Sequence, residues 1–519
     1  VPDPTATEAL AGPDPADARW ERVLHVGIVV ALVVGIVLRF VTSSPLWLDE
    51  ALSANIAGLP LDEIGEALRR DGHPPLYYLL LHGWIAAFGD GDGALRTFSG
   101  LWGVALLPLL WIAGARLGGR RTAWYALGIV ALLPYALRYA TETRMYAMVM
   151  VLSLVAWLLL DDALRRPSTG RLIGLSVVVA LLLWTHYWAI WLLAAVGVGL
   201  LGLALRARRT GDQPAFRATR NAILALGVGA LAFVPWLPAM AYQGSHTGTP
   251  WARPIRPNEM LTNTLADLGG GPQSEAVLLG WVVFFLVVLG VCGRALGRWR
   301  VEVDLRTRPE ARPLAYAVVA TASVGCLAGY AVGAAYASRY AAVIIPFVVL
   351  LAGLGLSRLD VRVASVVLVG VLALGAMGGY RNATDDRTDG RRNAEAIAAA
   401  GQDGDLVVFC PDQLGPSTAR ELEDRFDAVT YPRFGDPDFV DWVDYTERLD
   451  EADPEAFAQE LLDRAGDRSI YVVYSTSYIT HEDACGELIT ALWAQRPRED
   501  LEEPTGAFEP SALARFAPA

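Results

Sequence analysis

The 519-residue chain contains no lysine, so all 43 of its basic side chains are arginine. That bias reflects a GC-rich genome and carries no mechanism. Charge is scarce: 19% of residues are charged against 54% hydrophobic. This excludes an ordinary soluble protein and describes a chain that crosses a membrane many times. No HExxH motif or Cys/His cluster occurs, so a dedicated metal site is not expected, although single Asp, Glu or His ligands stay open. No Gly-rich phosphate fingerprint is present, and no nucleotide site is expected. Internal repeats are absent. No cleavable signal is evident either. Residues 1–22 are polar and rich in Pro and Asp, and are expected to form a disordered cytoplasmic tail. Of the four cysteines, Cys292 and Cys326 lie in apolar segments, whereas Cys410 and Cys485 lie in the polar C-terminal region. If that region is extracytoplasmic, the latter two can pair.

The net charge of -12 is unevenly spread. The region after Arg381 carries about -18 and the remainder about +6, which argues against a nucleic-acid partner. Apolar segments lie at 23–42, 97–115, 122–137, 145–160, 171–186, 188–205, 221–241, 275–293, 313–332, 340–357 and 362–380. These give about eleven spans, several of them short. A further apolar run at 74–88 is too short for a comfortable span.

The arginines test that omission. One basic loop holds Arg116, Arg120 and Arg121, and a second Arg165, Arg166 and Arg171. A third holds Arg206, Arg208, Arg209, Arg217 and Arg220. A fourth runs from Arg294 to Arg312, and Arg358 with Arg362 makes a fifth. All fall on the cytoplasmic side if the N-terminus is cytoplasmic and 74–88 does not cross. The run 74–88 is therefore read as an interfacial or re-entrant helix. The same topology places Asp49, Glu50, His73, Arg96, Arg138, Glu142, Arg144, Tyr146, His186, Tyr187, Arg339 and Tyr340 at the outer face. Ionisable groups embedded in apolar surroundings are costly and usually functional. Residues 241–274, with Trp251, Arg253 and Arg256, form a long outer loop able to cover a site.

After residue 380 the pattern changes. Helix-like stretches at 393–400, 417–426 and 454–465 alternate with strand-like runs at 405–410 and 469–475. This describes a small α/β domain over 381–519. The expected fold is thus a polytopic α-helical membrane protein: a tail over 1–22, a membrane domain over 23–380 with a first outer loop over 43–96, and an extracytoplasmic α/β domain.

Each candidate residue has a bland reading beside the chemical one. Asp49 and Glu50 sit about 100° apart on a helix, so one can act as general base while the other orients an arginine. They equally suit a helix start, where the dipole favours acids. Arg138 and Arg144 flank Glu142, so one can pair with it while the other meets an anion. The same cluster suits interfacial snorkelling. His186 and Tyr187 mark a helix junction, structural or functional. Arg339 and Tyr340 suit a phosphate ligand or an interface anchor.

As a set, these residues resemble a known family. Asp49-Glu50 after the first membrane helix, His73-Pro74-Pro75-Leu76, and Arg96 opening the next helix are similar to the protein O-mannosyltransferase type of the GT-C glycosyltransferase superfamily. The stretch Glu142 to Tyr146, the stretch Thr185 to Trp188, and Ser338-Arg339-Tyr340 with Pro346 resemble bacterial family-39-like sugar transferases. The resemblance covers about residues 23–360. It implies a GT-C fold and a donor sugar carried on a polyprenyl monophosphate. It implies inverting transfer with Asp49 as base, Glu50 orienting Arg96, and phosphate held by Arg138, Arg144 or Arg339. His73, Glu142, Tyr146, His186, Tyr187 and Tyr340 would support the site. No cofactor is required, and a divalent metal is compatible but not needed. In the mannosyltransferases a Gly-Lys follows the HPPL. Here Tyr77-Tyr78 follows it and no MIR-like insertion exists, which weakens a protein acceptor. The implied sugar is mannose-like or arabinose-like, the acceptor a lipid, glycan or protein, and the location the plasma membrane. The competing classes are a flippase for lipid-linked saccharides, which would place charges mid-membrane in repeated halves, and a non-catalytic envelope assembly protein.

Overall fold

The structure, a computed structural model, describes residues 15–250, 256–297, 299–332, 336–476, 478 and 483–518. Every apolar segment marked in the sequence is largely helical, although 122–137, 221–241, 275–293 and 340–357 are each divided between successive helical elements. Among the described residues, eight helices are long and apolar enough to cross a membrane, so the chain is a multi-pass membrane protein. One of them, the 40-residue Asp92–Ala131, holds two of the expected spans. It breaks at Gly118-Gly119, where Gly119 takes φ +78°, a conformation that only glycine adopts cheaply. Thr169–Thr185 and Ile345–Leu356 are shorter, at 17 and 12 residues. The run 74–88 forms the 13-residue helix Leu76–Phe88, too short to span.

Several arginine loops meet at one end of the bundle. Arg116 pairs with Asp162 at 2.9 Å, and Arg121 donates to the Leu359 carbonyl at 2.8 Å. Arg358 pairs with Glu310, and Arg362 with Asp17 at 3.3 Å. These contacts join loops that the positive-inside rule assigns to one side.

Three local expectations are corrected. The first helix starts at Pro15, so residues 15–22, expected in a disordered tail, are helical. Pro15 stands at the first helical position and Asp17 in the first turn, both favourable there. Residues 1–14 lie outside the described residues. The segment 241–274 is largely helical rather than a loop. Leu237–His246 and Pro257–Leu268 flank residues 251–255, which lie outside the description together with Trp251 and Arg253. Pro257 opens the second helix, and the Glu259 side chain accepts from the Arg256 N–H at 2.9 Å, satisfying an orphan donor. Within 417–426 only residues 417–419, the end of helix Gly415–Ala419, are α-helical, and strand Asp427–Thr430 follows closely.

The C-terminal region carries a five-stranded sheet. Central strand Leu406–Cys410 pairs in parallel with Asp427–Thr430 on one side and Ile470–Tyr474 on the other. Ala512–Phe516 and Arg498–Glu502 extend the sheet antiparallel beyond Ile470–Tyr474. Side chains alternate along the strands. Leu406, Val408 and Cys410 pack with helices Pro454–Ala465 and Ala484–Trp493, whereas Val407 and Phe409 pack with Ile397 of helix Gly390–Ala400. A disulfide joins Cys410 to Cys485, with Cα atoms 5.7 Å apart.

This sheet domain docks on the first loop. Trp47, Leu48 and Leu52 bury against Val440, Trp442 and Tyr445. Full burial of a large apolar side chain contributes about 1.5–3 kcal/mol, so this patch alone fixes the docking firmly. Backbone bonds reinforce it: Trp442 N–H to the Arg70 carbonyl at 3.3 Å and Asp444 N–H to the His246 carbonyl at 2.8 Å.

Candidate active site

The first loop folds as three short helices, Leu48–Gly58, Leu61–Asp71 and Leu76–Phe88. Gly72 closes the second at φ +90° and turns the chain into His73. Pro74 and Pro75 then start the third. This geometry hands Asp49, Glu50, Asp71 and His73 to one region.

Glu50 is fully buried. Its carboxylate accepts from Arg96 Nε at 2.8 Å and Nη2 at 2.7 Å, a bidentate pair. It also accepts from the Thr143 N–H at 2.9 Å and from Arg387 Nη1 at 3.2 Å. Burial pushes the Glu50 carboxyl up, but the Arg96 and Arg387 charges outweigh it and bring it down to about 2. Arg96 further donates to the Ser44 and Pro45 carbonyls, and Arg387 to the Thr141 carbonyl and hydroxyl. Glu50 therefore ties four chain segments together and is sealed from any reactant. Expected to orient Arg96, Glu50 is bound to it by both carboxylate oxygens.

Asp49 faces the other way. One of its oxygens lies 3.2 Å from Arg339 Nη1. Arg144 reaches the same corner. It donates to Ser53 Oγ at 2.9 Å, Tyr78 OH at 3.2 Å and the Asp49 carbonyl at 3.3 Å. Its other nitrogen is 2.9 Å from His73 Nε2. Because a guanidinium only donates, His73 Nε2 accepts and Nδ1–H donates to Asp71 at 2.8 Å. Tyr78 OH also donates to Asp71, at 3.1 Å. An Asp71–His73–Arg144 chain thus holds the guanidinium in place. Burial tends to raise the Asp71 carboxyl, yet His73 and Arg144 leave it below its usual value.

These groups open on a cavity of about 1060 Å³. Asp49, His73, Arg144, Arg339 and Tyr340 form its polar corner. Trp188, Ile190, Trp191, Gly325, Ala328 and Tyr330, on helices Ala189–Thr210 and Arg312–Val332, form an apolar wall. Trp442, Phe508 and Glu509 of the sheet domain also line it. A base beside two guanidinium groups, next to an apolar wall carried by membrane helices, can take up a proton and hold a lipid phosphate.

The other expected residues divide. His186 and Tyr187 line the cavity; Tyr187 OH accepts from Trp236 Nε1 at 3.0 Å and donates to Gln243. Tyr146 does not line it but packs at a steep angle between Tyr139, at 4.9 Å, and His186, at 5.7 Å. Arg138, expected among the phosphate ligands, does not line the cavity. Its Nε is bound to Glu142 at 2.8 Å, and its guanidinium lies over Trp47 and Phe508. The short helix Pro134–Ala140 and the following turn set this pair one turn apart, so Glu142 captures Arg138 and leaves Arg144 to the cavity. Sequence reading missed Arg387, Gln413 and Glu509, which lie beyond residue 380 with no motif, Gln413 on the short 3-10 turn Asp412–Leu414 and the other two outside helices and strands. Among the described residues no group of three or more His, Cys, Asp or Glu is arranged to hold a metal ion.

The architecture is the GT-C fold of membrane glycosyltransferases. The chain is similar to ArnT from Cupriavidus metallidurans in the apo state, with TM-score 0.60, 13% identity, and coverage of 94% of this chain and 97% of that one. It is also similar to ArnT from Cupriavidus metallidurans bound to undecaprenyl phosphate, with TM-score 0.57, 13% identity and the same coverage. No protein-family model matches the sequence, and no curated protein matches it.

Proposed function

We propose that this chain is an integral membrane glycosyltransferase. It moves one sugar from a polyprenyl-monophosphate donor to an extracytoplasmic acceptor with inversion. The observation that carries the reading is the cavity corner where Asp49 meets Arg339 and Arg144 beneath an apolar membrane wall. That a protein of the same fold is held with undecaprenyl phosphate supports a lipid-phosphate ligand.

In this reading Asp49 takes the proton from an acceptor hydroxyl. The freed oxygen bonds to the anomeric carbon as the bond from that carbon to the phosphate oxygen breaks on the opposite face. The lipid phosphate leaves with the electron pair, and Arg144 and Arg339 stabilise its growing charge. The Asp49–Arg339 pair gives the step an order. An arriving phosphate competes for Arg339, which releases the Asp49 carboxylate to act as base. Glu50 serves by fixing Arg96 and Arg387, and so the helix that carries Asp49. The Cys410–Cys485 disulfide supports an oxidising, extracytoplasmic side for the sheet domain and the cavity, opposite the arginine loops.

The test is incubation of the purified protein with radiolabelled polyprenyl-phosphate mannose or arabinose and membrane extract. Transfer of label to an extract component is the expected result. An organic-soluble product identifies a lipid acceptor and a protease-sensitive one a protein. Absence of transfer from either donor type contradicts the proposal for those sugars.

A further inference from the structure

Arg339 is the second residue of the 3-10 turn Ser338–Val343. Tyr336, Ala337, Arg339 and Tyr340 line the cavity, whereas Ser338 does not. The Ser338 hydroxyl instead donates to Asp267 on helix Pro257–Leu268. Two residues earlier, Tyr336 OH lies 2.7 Å from Thr264 Oγ1 on the same helix. The Ala337 backbone is extended, at φ -113° and ψ 138°, so Tyr336 and Ser338 fall on one side of the chain.

The helix presents a matching face. Met260, Thr264 and Asp267 stand at i, i+4 and i+7, which is one stripe of an α-helix. Met260 lines the cavity, Thr264 meets Tyr336 and Asp267 meets Ser338. The helix itself has little freedom to move. A methyl group added at Gly280 would lie 1.8 Å from the Leu265 carbonyl oxygen, so the helix backbone rests directly on membrane helix Leu278–Cys292. A second hold on the turn comes from buried Tyr135, whose hydroxyl donates to the Ser338 and Arg339 carbonyls at 3.1 and 3.2 Å. The Arg339 side chain thus leaves a turn that is clamped at its backbone and at the neighbouring side chain. A carboxylate accepts a stronger hydrogen bond than a neutral group, which makes Asp267 the firmer anchor.

We infer that Asp267 is a positioning residue for Arg339: by holding Ser338 it fixes where the Arg339 guanidinium meets the lipid phosphate, and it makes helix Pro257–Leu268 part of the donor site. The inference rests on the transferase reading, in which Arg339 receives the departing phosphate. Placement matters at such a contact, because a displacement of about 1 Å can cost about 100-fold in rate.

The experiment measures undecaprenyl phosphate affinity, by tryptophan fluorescence, on full-length protein. It compares wild type, Asp267→Ala, Asp267→Asn, Ser338→Ala, Arg339→Ala, and Asp267→Ala combined with Arg339→Ala. Asp267→Ala and Ser338→Ala should each weaken the affinity by about tenfold, the value of one lost charge-assisted hydrogen bond. Asp267→Asn, whose amide oxygen still accepts from Ser338, should recover part of that loss. In the Arg339→Ala background, Asp267→Ala should add no further loss, because it acts through Arg339. An equal loss from Asp267→Ala in both backgrounds overturns the inference, since it marks a general structural role. So does wild-type affinity in either Asp267→Ala or Ser338→Ala, and so does an Asp267→Asn protein as weak as Asp267→Ala. If Asp267→Ala does not fold, Ser338→Ala alone and combined with Arg339→Ala decides the matter in the same way. Wild-type affinity in Arg339→Ala instead overturns the phosphate reading, a separate outcome.

Discussion

Asp49 and Glu50 are neighbours in the chain, and their carboxylates serve separate networks. Glu50 closes a buried cluster with Arg96 and Arg387, whereas Asp49 meets Arg339 at the cavity. A single turn of helix thus carries one carboxylate sealed in a buried ion cluster and one that opens on the cavity.

The Glu50 cluster predicts a pH-dependent stability. Its folded pKa, about 2, lies below the ordinary unfolded value near 4.3. Its contribution is therefore complete above about pH 4.3 and fades as pH falls toward 2. In thermal unfolding, Glu50→Gln should be much less stable than wild type at pH 7, by about 3–5 kcal/mol, because two buried arginines lose their counter-charge. The gap should narrow below about pH 4. A gap that is constant with pH contradicts the assignment.

Arg339 and Arg138 should separate cleanly. Arg339→Ala should weaken undecaprenyl phosphate binding by about 10- to 100-fold, the range of a charge-assisted hydrogen bond. Arg138→Ala should leave that affinity within about twofold, because Arg138 is committed to Glu142, and should lower stability instead. Equal losses of affinity would show that the cavity boundary is drawn wrongly.

His73 acts by holding Arg144. His73→Ala should cut transfer by about 10- to 100-fold through misplacement of the guanidinium, with expression unchanged. His73→Gln, which can still accept from Arg144, should recover part of the rate. Steady-state kinetics on detergent-purified protein checks this.

The disulfide closes a loop with a sequence separation of 75 residues. Cys410→Ser with Cys485→Ser should destabilise the sheet domain by about 2–4 kcal/mol. Unfolding with and without reductant reads the loss, which the double variant should no longer show.

The membrane helices were legible because hydropathy reports burial in lipid directly. The first-loop residues Asp49, His73 and Arg96 were legible because charge in an apolar context is costly. Arg387 and Glu509 were not. Each is one acidic or basic residue in an acidic, charged domain, and only long-range packing brings Arg387 to Glu50 and Glu509 to the cavity. Strand Arg498–Glu502 reads REDLE, which looks like a loop, because it lies at a sheet edge with its charges in water. That Arg138 lies apart from the cavity was not legible for a related reason. Sequence gives the choice between two arginines around one glutamate, and only the turn after Ala140 decides which is captured.

The most direct test is Asp49→Asn, assayed for sugar transfer and for undecaprenyl phosphate binding on the same preparation. The account predicts a rate lower by about 100-fold or more, with lipid-phosphate affinity unchanged or tighter because Arg339 loses its internal competitor. Transfer at the wild-type rate by a folded Asp49→Asn protein would contradict it.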